Sequence, residues 1–195
     1  MTTKISELLE AAARQAVPVV RGIRDDQLGA PTPCPDYTVR DLLNHLLHVV
    51  IGFQALAARK EADFATTPDH LARTGDGWRD AFAEEAARLA AAWAVPGAEE
   101  GRTGAMDLPA RTVGHMILLD LTAHPWDLAR ATGQEFTPDP DCVRELAAPV
   151  AEMAPMGRRY GAFGEPVPVP DGASEFERLL ALIGRDPRWT PPGRG

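Results

Sequence analysis

Cysteine is scarce in this chain: among 195 residues there are two, Cys34 and Cys142, and they form no Cys-x-x-Cys unit. That excludes a disulfide scaffold and a zinc ribbon, and a reducing, cytoplasmic setting is the expectation. Long apolar runs are missing as well. No stretch reaches the roughly 18 apolar residues of a membrane span, and the opening Met1 to Glu7 holds no apolar signal core. The reading is therefore a soluble, unprocessed chain. Positive charge is outnumbered, with 20 Lys and Arg against 28 Asp and Glu for a net charge of −8. This argues against tracking nucleic acid or an anionic membrane and favours a small molecule or a protein as partner. Glycine-rich phosphate loops, a Gly-x-Ser-x-Gly elbow and a His-Glu-x-x-His helix are also absent from the sequence.

What is present is helical. Hydrophobic residues make up 45% of the chain, enough for a core without covalent staples. Glycine and proline fall mainly between periodic segments. A first helix is expected from about Ser6 to Ile23, kinked at Pro18. After a loop rich in breakers, Gly29 to Tyr37, Thr38 and Asp41 make a box-like start for a second helix, which carries His45. A third is expected from about Asp76 to Val95, closed by Pro96-Gly97. The fourth runs from about Ala110 to Thr132 and ends at Gly133. Four long amphipathic helices point to an all-α four-helix bundle over residues 1–135. Residues 136–195 read as a helical extension packed on it, with shorter helices at about Asp141 to Met156 and Ser174 to Ile183.

The fourth helix carries an anomaly. Within the oily segment from Val113 to His124, Asp120 and His124 sit four apart and stack on one face. With Asp120 at zero, His124 falls at about 40°, alongside Val113, Met116, Ile117, Leu121 and Leu128. An unpaired carboxylate on such a stripe is costly, so something should compensate it, and a metal ion is one candidate. Reactive divalent sites use about three protein ligands plus an open position. The third ligand would come from His45, His48, His70 or His115. On its helix His45 lies near the apolar edge and can turn inward, whereas His48 lies opposite and is expected to face solvent. His115 is about 180° from His124, and His70 sits in a loop. A plain hydrogen-bonded Asp120–His124 pair remains open beside the metal reading. Asp127 is either the acceptor that orients the His124 ring or a partner for Arg130. Pro125 should bend the helix at His124, and Trp126 either lines the site or contacts a neighbouring helix. Cys34, between two prolines near a helix start, is a weak nucleophile candidate because no cation neighbours it in sequence.

Three passages, Thr32 to His45, His124 to Gly133, and Phe163 to Asp171 with Leu179 to Trp189, together resemble the DinB-like, mycothiol-dependent maleylpyruvate isomerase family of actinobacterial metal-binding proteins. The resemblance implies a DinB-like bundle holding a divalent metal, usually zinc, through a His on the second helix and an acidic residue and His four apart on a later one. These map to His45, Asp120 and His124. The acid is more often Glu in the relatives, and the isomerase proper has a larger C-terminal domain than the extension here. The implied activity is a mycothiol-dependent transfer or isomerisation of a small electrophilic substrate. The alternative is a non-catalytic metal-binding stress or sensor protein, and a homodimer is compatible with either.

Overall fold

The computed structural model describes residues 3–105 and 107–192. Its helices are α1 (Ile5–Gly22), α2 (Val39–Ala57), the short α3 (His70–Thr74), α4 (Trp78–Trp93), α5 (Ala110–Thr132), α6 (Pro140–Arg159) and α7 (Glu175–Leu182). One small hairpin interrupts them. Its strands β1 (Arg102–Thr103) and β2 (Leu108–Pro109) pair antiparallel, Arg102 opposite Pro109 and Thr103 opposite Leu108.

The all-α bundle expected from periodicity is present. Helices α1 and α2 each pack against both α4 and α5, so α1 faces α2, and α4 faces α5, across the core diagonals. Local chemistry explains the ends. Thr38 accepts from the Asp41 amide while Asp41 accepts from the Thr38 amide, closing the first turn of α2 from both sides. Helix α5 stops at Gly133, whose φ of 73° is the left-handed conformation that glycine adopts without a Cβ penalty. Helix α1 runs on through Pro18 and α5 through Pro125, so neither proline ends its helix.

Helix α5 is the keel of the molecule. It is buried at nearly every position from Val113 to Thr132 because α1, α2 and α6 all lean on it. A helix covered from several sides loses the one-sided amphipathic pattern of a surface helix. At Gly114 the approach is so close that a Cβ would lie 2.9 Å from Ile5 and 3.2 Å from Trp93. The hairpin leading into α5 is tied to α2 by Thr103, whose hydroxyl donates to the Leu56 carbonyl at 2.7 Å.

Beyond Gly133, α6 packs on α5 and α1, and α7 packs on α6. Helix α6 is longer at both ends than the sequence pattern suggests, beginning at Pro140 behind the Asp139 cap. The proline-rich strand of chain before α7 returns along that helix, with Gly164 donating to the Ile183 carbonyl and Val167 to that of Ala181. No helix among the described residues is long and apolar enough to cross a membrane.

Candidate metal centre

His45 lies two turns into α2, and Asp120 and His124 lie on α5, the adjacent helix. The fold brings the three together: each offers one ligating atom, and these atoms all lie within 4.8 Å of one another. His124 is buried, whereas His45 and Asp120 are half-buried. The rings of His45 and His124 meet edge to face at 5.1 Å. On its other side His45 stacks on Tyr37, centroids 5.4 Å apart and planes 23° apart. Tyr37 belongs to the loop before α2, which buried Thr32 folds back: its hydroxyl is 2.9 Å from the carbonyls of both Cys34 and Tyr37.

The two nitrogens of His124 face different carboxylates. Nδ1 is 3.0 Å from Asp127 Oδ2, a good hydrogen bond, and Nε2 is 3.5 Å from Asp120 Oδ1, a looser ion-pair contact. Burial by itself would lower the His124 pKa, but the flanking Asp120 and Asp127 outweigh it and raise the imidazole to about 9. His45 behaves oppositely. Burial, then the neighbouring His124, push it down to about 4 against the pull of Asp120. At neutral pH His45 is therefore an uncharged imidazole with a lone pair to offer.

Asp127 is fully buried and takes the orienting role toward His124. Its other partner is not Arg130, which instead donates to the Trp189 carbonyl at 2.7 Å. The partner is Arg185, from the turn after α7, 58 positions away in the chain. Sequence reasoning gave Arg185 no role; the signal available was its place in the Gly184-Arg-Asp-Pro187 turn of the third family-like passage. Trp126 is buried with the Arg130 guanidinium 5.9 Å over its ring.

The remaining histidines lie outside the cluster. The solvent-facing expectation for His48 is corrected: it is half-buried, its Nε2 2.8 Å from the Asp63 carbonyl and its ring 5.6 Å from that of His70. Chain that angular reasoning on a single helix ignores folds over this face, where Phe64 packs against Gly52. His70 opens α3, capped by Asp69, and His115 pairs with Glu145 on α6 at 3.0 Å. Cys34 is buried, and burial pushes its thiol up to about 11 despite the nearby Arg185, so it stays protonated at neutral pH.

Two uncharacterized proteins of Mycobacterium tuberculosis, from the CDC 1551 and H37Rv strains, are each 33% identical to this chain over 177 residues, covering 87% of it and 91% of their own length. No solved structure matches it. A family model described as the mycothiol maleylpyruvate isomerase N-terminal domain matches residues 9–129, a span that holds α2, most of α5 and all three clustered side chains. The chain belongs to the mycothiol maleylpyruvate isomerase N-terminal domain family.

Proposed function

We propose that His45, Asp120 and His124 bind one divalent metal ion, zinc by donor chemistry. The protein then acts with a low-molecular-weight thiol, mycothiol by family, in the transfer or isomerisation of a small electrophile. The observation that carries this reading is the convergence of two imidazoles and one carboxylate from neighbouring helices within 4.8 Å. That donor set suits zinc with a position left open. When bound, such a metal supplies a Lewis-acid centre that lowers the pKa of a coordinating thiol and polarises a carbonyl.

The chain's own residues prepare that centre. His45 is held uncharged by burial, and its ring is confined between Tyr37 and His124. Asp127 occupies Nδ1 of His124, which turns Nε2 toward Asp120. Asp120 would hold the ion through a carboxylate on a shorter stem than a Glu would offer. Because His45 and Asp120 are half-buried while His124 and Asp127 lie behind them, access is from the His45–Asp120 side. Residues 1–135 are read as the metal-binding unit and 136–195 as an extension that docks on it.

Elemental analysis of the purified protein tests the reading, with one zinc per chain expected and the metal lost in His45→Ala. Absence of stoichiometric divalent metal, or metal content indifferent to that change, overturns it. Consumption of mycothiol by the zinc-loaded protein with a panel of small carbonyl and alkene electrophiles tests the catalytic half. A loaded protein that consumes none is a metal binder without this chemistry.

A further inference from the structure

We infer that Arg185 is a positioning residue for the metal centre, acting through Asp127 to hold the His124 ring with Nε2 toward Asp120. The inference rests on the metal reading above. Arg185 is buried, 6% exposed, and lies side-on to Asp127, with Nε 3.4 Å from Oδ1 and Nη2 3.4 Å from Oδ2. These contacts are long, and their value is orientation: two parallel contacts fix the plane of the carboxylate, which a single one cannot. The same Oδ2 is 3.0 Å from His124 Nδ1. Rotation of the Asp127 carboxylate would therefore break both contacts at once.

Arg185 is itself held in place. Its Nη1 lies 3.4 Å from the Ile183 carbonyl, within its own turn. The preceding Gly184 has a φ of 86°, and a Cβ there would lie 2.5 Å from the Gly164 Cα. Arg130 on α5 grips the same turn through the Trp189 carbonyl. The passages Phe163 to Asp171 and Leu179 to Trp189, far from the metal ligands in sequence, thus form a clamp that delivers one guanidinium beneath α5.

Charge explains why an arginine is needed. An imidazole that ligates a metal through Nε2 is neutral and offers Asp127 a single N–H, which leaves a fully buried carboxylate short of a counter-charge. Arginine supplies that charge permanently and in the planar geometry a carboxylate matches.

The test is zinc affinity of the full chain, measured by competition with a chromogenic chelator, for wild type, Arg185→Gln, Arg185→Lys and Arg130→Gln. Each variant is first checked for a cooperative thermal transition. Loss of an orienting partner weakens metal binding about tenfold or more, so Arg185→Gln should fall by that factor and Arg185→Lys, keeping charge but losing the fork, by about threefold. Arg130→Gln, which loosens the same turn without touching Asp127, should stay within about twofold. Nitrogen-15 NMR of His124 should show one Nδ1–H tautomer in the zinc-loaded wild type and broadened exchange in Arg185→Gln. Equal losses in the Arg185 and Arg130 variants, or wild-type affinity in Arg185→Gln, overturn the inference and leave the metal reading standing. If Arg185→Gln does not fold, Arg185→Lys decides, and a Lys variant equal to wild type overturns it. A wild-type protein that binds no zinc overturns both.

Discussion

Helix α5 carries two buried histidines, and their surroundings could hardly differ more. His115 sits in a closed ionic knot: its Nε2 meets Glu145, which also accepts from Arg111 at 2.6 Å, and Arg111 in turn pairs with Glu99 and donates to the Thr3 carbonyl at 3.0 Å. Each charge there is matched by a neighbour. At the other histidine the pairing is less complete: Asp127 holds Nδ1 of His124 at 3.0 Å, while the contact with Asp120 is looser. His45 and His124 touch ring to ring, Asp120 stands 3.5 Å from Nε2, and among the described residues the His45 nitrogens have no hydrogen-bond partner. The same residue types on one helix thus make a structural rivet in one place and, in the other, a convergence of two imidazoles and a carboxylate within 4.8 Å. What separates them is whether the donors and acceptors cancel.

Breaking the second cluster should have the largest effect. Asp120→Ala is expected to lower zinc affinity by more than about 100-fold, beyond the range of losses from supporting residues, while His115→Ala leaves zinc content unchanged. Chelator competition on both variants checks the contrast, and equal losses would erase it.

The first cluster should answer in stability instead. Glu145→Ala removes a charged hydrogen-bond partner of both Arg111 and His115 and should cost about 1.5–3 kcal/mol at pH 7, read by urea melts. Burial alone would raise the Glu145 pKa, but His115 and Arg111 overcome it and hold the carboxyl below its usual range. A carboxyl depressed in the folded state stabilises above its unfolded pKa of about 4.3 and loses that contribution as pH falls through the folded value. Wild type and Glu145→Ala should therefore converge in acid, and a difference that persists there would refute the pairing.

Asp127→Asn probes the boundary between the two behaviours, because Asp127 is fully bonded yet serves the open cluster. About a tenfold loss of zinc affinity is expected. The smallest effect belongs to Thr38→Ala. Loss of the cap should cost about 1 kcal/mol of stability and shift zinc affinity by less than about threefold, since His45 is two turns inside the helix and pinned by Tyr37.

Much of this was legible in sequence, for reasons that are local. The bounds of α5, Ala110–Thr132, coincide with those expected because an apolar pattern meets a left-handed glycine at its end. The α2 start was legible through its Thr38–Asp41 box. Angular reasoning also singled out His45 among the histidines outside α5, and its ring does lie beside Asp120 and His124, since both halves of the cluster lie on regular helices. Elements too short to show a period escaped it: α3 and the two-residue strands. So did facts set by distant chain. His48 is covered by a loop that its own helix cannot announce, and Arg185, a charged residue in a polar turn, reads as surface until the turn is seen seated under α5.

One contact at the start of the molecule bears on how it comes to be built. The amide of Ile5, in the first turn of α1, donates to the Glu99 side chain across 94 positions at 2.9 Å. On a growing chain the acceptor for that amide arrives only after α1, α2 and α4 have been synthesised. The first turn of α1 is thus completed by long-range closure rather than by its own sequence.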